Sequence, residues 1–177
     1  MKKWRNGKLN NSGISLVEII IVFAIMGIIA GAVLLSTTVA TDKQVSSCAE
    51  KLASSLEQTR NLVMGKQSGL LRIWQASGDY VYIQMYMDGD YIPAHPEQNA
   101  FSDEVAIGKQ GVTITWTNGT DSGNLNAGEV LMYFQRNGSV SQTQGNHVTE
   151  FTVTNGRRTI LVTVDQFTGR VDTERIS

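Results

Sequence analysis

The sequence predicts an α+β fold in which one long N-terminal helix packs on a β-rich globular head. Three observations predict it. An apolar run from Ile19 to Leu35 contains no charged residue, an amphipathic segment with helical spacing follows it, and from Leu70 onward the apolar residues alternate as they do in strands. We therefore divide the chain into four segments, residues 1–13, 14–36, 37–68 and 69–177.

The apolar segment has the length and the flanking charges of a membrane helix. From Ile14 to Leu35 it contains twenty-two residues, which span roughly 33 Å as a helix, and the hydrocarbon core is roughly 30 Å thick. The residues before it include no acidic residue and four basic ones, Lys2, Lys3, Arg5 and Lys8. This charge distribution predicts a single pass through the cytoplasmic (inner) membrane, with the N-terminus in the cytoplasm and the head outside it.

Two kinds of segment share these features, a cleaved secretory signal peptide and a retained anchor. A signal peptide has a shorter apolar region than this one and ends in small residues at its far end. Glu18 favours the retained anchor, because a carboxylate inside a membrane segment costs a few kcal/mol and is usually kept for a function with a partner.

The motif Gly13-Ile14-Ser15-Leu16-Val17-Glu18, followed by an apolar helix, resembles the processing site of type IV prepilins and pseudopilins. The resemblance implies that residues 1–13 are a leader peptide, that a prepilin peptidase cuts between Gly13 and Ile14, and that Ile14 is then N-methylated. It also implies that Glu18 docks the subunit onto a growing fibre. Ile14 stands where phenylalanine is commonest in that family, which accepts other apolar residues there. The alternative is a plain membrane anchor with an incidental glutamate.

Residues 37–68 continue the helix as an amphipathic segment. Apolar residues recur there at three- and four-residue spacing, at Val45, Cys48 or Ala49, Leu52, Leu56 and Val63. Charged residues fill the intervening positions, and no proline separates this segment from the apolar run. We predict one helix from about Ser15 to Lys66, whose second half packs its apolar stripe on the head.

Gly27 and Gly31 form a G-x-x-x-G pattern inside the apolar run. Such a pattern allows close contact between helices, and glycine is also common in membrane helices without any special function. A third interpretation is that these two residues mark where the helix loosens as it moves from lipid into a filament, since glycine destabilises a helix interior by about 1 kcal/mol.

The head is predicted to contain about seven strands and no second helix of any length. The strands are predicted near residues 71–73, 80–87, 112–116, 130–134, 148–153, 159–164 and 169–173. The pairs Asn118-Gly119, Asn137-Gly138 and Asn155-Gly156 are typical of tight turns between strands. Residues 92–104, which hold both prolines, and residues 120–128 are predicted to be loops. Between residues 70 and 125 the pattern indicates β structure without indicating a strand order.

The C-terminal third has a second resemblance. Met132-Tyr133-Phe134, then Gly138, two alternating strands around Asn155-Gly156-Arg157-Arg158, and the closing Gly169-Arg170-Val171 resemble the end of the GspH/FimT family. These proteins are minor pseudopilins of type II secretion and minor pilins of type IV pili. The resemblance therefore implies a pilin-like fold and a minor fibre subunit.

Charge and residue content argue against catalysis and against bulk attraction to nucleic acid. The leader carries a charge of +4, whereas residues 69–177 carry −5. The single cysteine, Cys48, excludes an intrachain disulfide. His95 and His147 have no second ligand at metal-binding spacing, and no nucleophile or phosphate-loop motif is present. We expect no enzyme activity, no cofactor and no metal.

Two functions follow. The favoured one is structural, a minor pseudopilin or pilin subunit that initiates or caps a short fibre. Its partners would be the prepilin peptidase, other pseudopilins or pilins, an inner-membrane assembly platform, and membrane lipid before assembly. The alternative is a DNA-binding minor pilin of a competence system that uses Arg157, Arg158, Arg170 and Arg175. Nearby carboxylates and the acidic head oppose this alternative, and the sequence leaves secretion, pilus and competence systems open.

Overall fold

The computed structural model describes residues 16–76, 80–87, 90–96, 98–109, 111–125 and 128–176. The chain separates into two compact units, one extending to Val39 and one beginning at Ala40. The second unit holds the head and the part of the helix that packs on it.

One helix and ten strands make up the described chain. Helix α1 is Leu16–Val63. The strands are β1 (Gly69–Ala76), β2 (Tyr80–Met87), β3 (Val105–Gly108), β4 (Thr113–Thr117), β5 (Ser122–Asn124), β6 (Glu129–Phe134), β7 (Val140–Gly145), β8 (Glu150–Thr154), β9 (Thr159–Val164) and β10 (Val171–Arg175). An α+β chain with an N-terminal helix and a β-rich region is thereby confirmed.

The strands form two antiparallel sheets of five strands each. The strand order is β3-β2-β1-β6-β7 in the first sheet and β10-β9-β8-β4-β5 in the second. The chain crosses between the sheets after β3, after β5 and after β7. Because β1 lies at the centre of the first sheet and β8 at the centre of the second, each central strand has partners on both sides.

The second half of α1 supplies one apolar stripe to a core that both sheets share. The stripe residues are each at most 1 % exposed, and they are Val45, Cys48, Ala49, Leu52, Leu56 and Val63. They belong to the same buried cluster as Leu71 and Met132 of the first sheet and Phe151 and Val162 of the second. Each fully buried aliphatic side chain contributes about 1.5–3 kcal/mol of transfer free energy. This stripe therefore attaches the helix to the head.

The C-terminal end of α1 is held by the turns of the head. Gly65 has a φ of +74°, which ends the helix, and its amide donates to the carbonyl oxygen of Arg136 at 3.1 Å. Arg60 Nε donates to the carbonyl oxygen of Thr168 at 2.6 Å. A Cβ placed on Gly169 would overlap the carbonyl oxygen of Gly138, so these two glycine backbones are in direct contact beside the last turn of the helix.

The three predicted asparagine–glycine turns are confirmed. Gly119, Gly138 and Gly156 have φ values of +86°, +85° and +83°. In each turn the preceding asparagine Oδ1 accepts a backbone amide hydrogen from the residue two positions later. Glycine follows asparagine at these places because residues with a side chain rarely adopt a positive φ.

Two predictions about extent need correction. The helix was predicted to end at about Lys66, but it ends at Val63, while its predicted start at about Ser15 lies outside the described residues. The predicted count of about seven strands is too low, because β3, β5 and β7 were missed, and β5 falls in the predicted loop at 120–128. All three are edge strands that pair on one side only. β3 and β5 are short and β7 is mostly polar, so these three lack the alternating apolar pattern that reveals a strand.

The membrane span predicted over residues 14–36 begins outside the described residues. Among the residues that the structure does describe, no helix is long and apolar enough to cross a membrane.

The contact between Gly138 and Gly169 predicts different effects of alanine at two glycines of similar φ. Gly156 has a φ of +83°, and a Cβ added there would have no atom within 4 Å, whereas Gly169 has a φ of +64° and meets Gly138. We expect Gly156→Ala to destabilise the protein by about 1–2 kcal/mol through backbone strain alone. We expect Gly169→Ala to cost about 3 kcal/mol or more, because the turn must also move apart.

Alkylation of Cys48 measures how much each variant destabilises the protein. Burial raises the pKa of its thiol to about 12 against the opposing effect of the Lys51 charge, so it reacts with alkylating reagents only when the core opens. Urea unfolding of the full chain in mild detergent, followed by alkylation of Cys48, compares both variants with the wild type. Equal losses for the two variants would contradict the inferred contact.

Candidate functional site

Helix α1 carries an acidic residue in its first turn. The described part of the helix begins at Leu16, and Glu18 is exposed. Gly13 and Ile14, the predicted cleavage and methylation residues, lie outside the described residues. Glu18 is thus the first charged side chain that the structure places after the predicted cut.

The first turns of α1 expose apolar side chains in every direction. The four consecutive residues of 19–22 are all apolar and between 41 % and 58 % exposed, and Phe23 and Ile28 are 69 % and 73 % exposed. Because successive residues point to different sides of a helix, this surface has no polar face. A helix that is apolar all round is stable only when it is covered. Such a surface is typical of a helix that is covered by other apolar groups.

Gly27 and Gly31 lie within this part of α1. The helix is continuous through both positions, and a Cβ added to either residue would have no atom within 4 Å. The structure therefore shows open space beside both glycines. The predicted loosening of the helix at these residues stays a prediction.

The four candidate DNA-contacting arginines occupy two places on the head. Arg157 and Arg158 lie in the turn between β8 and β9, and Arg175 pairs with Ile160 at the same end of these strands. Arg170 precedes β10, whose first residue pairs with the last residue of β9. Five residues of β10 separate the two ends, or about 15 Å along the strand. Three arginines are thus brought together and the fourth is placed apart.

Local contacts further limit what these arginines can bind. Arg170 Nη2 lies 3.2 Å from Asp172 Oδ1, so its charge is partly neutralised. Arg158 is half-buried, and its Nε is a buried nitrogen with no hydrogen-bond partner in the described chain. Asn155 holds this turn, since its Oδ1 accepts the amide of Arg158 at 2.8 Å while its Nδ2 donates to Asp42 Oδ1 of α1 at 3.1 Å. The turn is therefore fixed against the helix.

A half-buried charge cluster on the outer face of the first sheet was not predicted from the sequence. Arg72 Nε and Glu129 Oε2 lie 2.5 Å apart, and Tyr91 OH donates to Glu129 Oε1 at 2.7 Å. Burial lowers the pKa of Arg72, but the hydrogen bond and the charge of Glu129 outweigh it and the pKa of Arg72 is raised. Burial and the same carboxylate raise the pKa of Tyr91. The strand register could have indicated that Arg72 and Glu129 are neighbours. It could not have indicated the contact with Tyr91, because Tyr91 lies in an irregular segment.

This cluster positions a loop. Tyr86 is 1 % exposed, its ring packs edge-on against Tyr91 at 5.1 Å, and its hydroxyl donates to the carbonyl oxygen of Pro96. These contacts hold residues 91–96 over one end of the outer face. The guanidinium of Arg72 also covers the ring of Trp74 at 4.2 Å. These contacts indicate that Arg72 and Glu129 serve a structural function in the head.

Comparison with protein families finds a match at the N-terminus. Residues 8–34 match the family described as the prokaryotic N-terminal methylation motif. The motif indicates a type IV pilin-like or pseudopilin protein. The matched segment contains Gly13, Ile14, Glu18, Gly27 and Gly31, and it ends before the head. Neither the curated proteins nor the solved structures contain a match to this chain.

A pilin-like motif implies processing by a prepilin peptidase and assembly with other pilins. It also suggests assembly from a membrane-anchored state. The prediction of a prepilin-type N-terminus is confirmed at this level. The match does not include the head. It therefore does not assign the chain to the GspH/FimT family or to a particular export system.

The arginine positions predict how this pilin-like protein behaves toward DNA. With Arg170 apart and paired, at most about three phosphate contacts are available, so log Kd should vary with log salt with a slope of no more than about 2.7 in magnitude. At low salt we expect no more than weak binding to duplex DNA, measured by fluorescence anisotropy. The Arg157→Ala/Arg158→Ala/Arg175→Ala variant should lose it, while Arg170→Ala should leave it unchanged. Tight, salt-resistant binding that also needs Arg170 would contradict the separation.

Proposed function

We propose that this chain is a minor pseudopilin or pilin subunit of a type II secretion or type IV pilus-like system. Its leader, residues 1–13, is removed between Gly13 and Ile14, its apolar helix holds it in the inner membrane, and it then joins a short fibre at the initiation site or tip. The observation that carries the proposal is the methylation motif at residues 8–34, together with the all-round apolar surface at the start of α1.

The head supports the finer likeness to the GspH/FimT family. The apolar residues of the C-terminal pattern lie on β6, β8, β9 and β10, with Phe134, Phe151 and Val162 fully buried. The two glycines of that pattern, Gly138 and Gly169, are the pair whose backbones meet at the end of α1. Their place in the pattern therefore has a physical reason, because a side chain at Gly169 would separate the turns that anchor the helix.

The function of Glu18 follows from charge burial. Cleavage at Gly13 would create an amine on Ile14, and residues four positions apart lie one above the other on a helix. When apolar helices bundle, an amine without a carboxylate would be buried unpaired, at a cost of about 3–5 kcal/mol. Glu18 of the same subunit or of a neighbour would neutralise it. The pair then sets the register of the subunit in the fibre more than it adds stability.

The first test concerns processing. Mass spectrometry of the protein extracted from membranes is expected to find a mature N-terminus at Ile14 carrying a methyl group. The reason is the Gly13–Glu18 motif within the matched segment. Gly13→Leu should leave the leader attached, because a bulky residue then occupies the cut position. A wild-type N-terminus beyond Leu35 would show an ordinary secretory signal instead and would overturn the proposal.

The second test concerns assembly. Glu18→Ala should be processed and should enter the membrane, because removing a carboxylate from an apolar segment favours insertion by up to a few kcal/mol. It should accumulate as processed subunit in the membrane and be absent from sheared or cross-linked fibre fractions. Glu18→Asp keeps the charge with a shorter reach, so partial assembly is expected. The assay must follow this subunit, because a minor component does not determine fibre yield.

Glu57→Ala is the matched control, since Glu57 is an exposed carboxylate of the same helix within the head. It should assemble as the wild type does. If Glu18→Ala also assembles and supports export normally, Glu18 is not the docking group.

A further inference from the structure

A cleft lies between the second half of α1 and the edge strand β3. Its volume is about 310 Å³, and it is entirely within the unit that begins at Ala40. The helix side is formed by Lys43, Gln44, Ser47 and Lys51. The sheet side is formed by Tyr80 and residues 106–109. This size is at the lower end of protein ligand sites, enough for a short stretch of peptide or a small molecule.

Three ammonium groups line this cleft. Lys43 and Lys51 are two helical turns apart on one face of α1, with Ser47 between them, and Lys109 follows β3. Lys51 Nζ donates to the carbonyl oxygen of Ala106 at 3.4 Å, and none of the three is in an ion pair within the described chain. The surrounding head is acidic, with a charge of −5 over residues 69–177. The cleft is therefore a local concentration of unpaired positive charge.

The floor and one rim of the cleft are apolar. Ile107 is 4 % exposed and forms part of the core, while Tyr80 is 42 % exposed. Exposed tyrosine beside an apolar floor is a common feature of protein interfaces. A ligand that carried only charge would leave this surface uncovered, so the occupant should combine carboxylates with apolar side chains.

The sheet side of the cleft is also an open strand edge. In the described chain β3 pairs with β2 alone, and Lys51 reaches this strand through the carbonyl oxygen of Ala106. An edge strand can add a further strand from another chain, with main-chain hydrogen bonds supplying affinity and side-chain pockets supplying specificity. An extended segment suits this geometry better than a helix.

We propose that the cleft between α1 and β3 binds an extended acidic peptide segment of a partner protein. Carboxylates of the segment face Lys43, Lys51 and Lys109, and an apolar side chain between them packs on Tyr80 and Ile107. Charge complementarity identifies the occupant, because these unpaired lysines stand on an otherwise acidic head. This inference does not rest on cleavage, methylation or fibre assembly.

The experiment measures peptide binding to the full chain in neutral detergent micelles. The probe is a fluorescein-labelled peptide, Glu-Val-Glu-Val-Glu-Gly, observed by fluorescence anisotropy. We expect saturable binding that weakens about tenfold in the Lys43→Gln/Lys51→Gln/Lys109→Gln variant. It should also weaken severalfold between about 50 mM and about 500 mM salt. The same peptide with glutamine in place of glutamate should bind at least about tenfold more weakly.

A variant with the same charge change elsewhere serves as the control. Lys66→Gln/Arg136→Gln/Arg157→Gln alters three exposed cations outside the cleft and should leave the affinity within about twofold. A photo-crosslinking residue at Ser47 should capture the peptide, and one at exposed Ser54, which is not a cleft residue, should not.

Three outcomes would overturn the proposal. They are equal loss of binding in the cleft and control variants, equal affinity for the glutamine peptide, and no saturable binding by the wild type. The last result would mean that the lysines only shield the edge of β3 from other chains.

Discussion

The head depends on one apolar stripe of α1. Six buried residues between Val45 and Val63 meet inward-facing residues of both sheets in a single core. Without the helix, the two sheets would share less apolar surface, and the edges beside it would be open to water. The same stripe leaves polar residues on the outer side of the helix, which is why Lys43 and Lys51 can line a cleft while Leu52 is buried one residue away. The helical periodicity thus determines both which residues of α1 are buried and which of them line the cleft.

Glycine contacts and polar contacts then fix the second half of the helix to the head. Asp42 accepts a hydrogen bond from Asn155, Lys51 reaches the edge of β3, and Arg60 reaches the turn before β10. Each contact joins the helix to a different turn or edge, so the helix links places that are distant in sequence. The exposed basic residues do not form one continuous positive surface. The lysines gather in one cleft, whereas the arginines near the C-terminus divide between the two ends of a strand pair.

Much of this organisation was predictable from local pattern. The α+β class, the buried stripe, the turns at Asn118, Asn137 and Asn155, and seven of the ten strands follow from periodicity and turn chemistry. The prepilin-type N-terminus follows from a short motif that the match at residues 8–34 confirms. Local pattern suffices in these cases because the information is contained within a few consecutive residues, as a helical period, an alternation or a turn pair.

What required the tertiary structure is pairing between distant residues. The edge strands β3, β5 and β7 are defined by their neighbours, because their own residues lack an alternating apolar face. Arg72 and Glu129 form an ion pair across adjacent strands, and Gly138 meets Gly169. The sequence by itself determined where a helix, a turn or a processing motif would occur, because those depend on local spacing. Only the fold decided which charges meet and which stay unpaired, because that depends on contacts made across the two sheets.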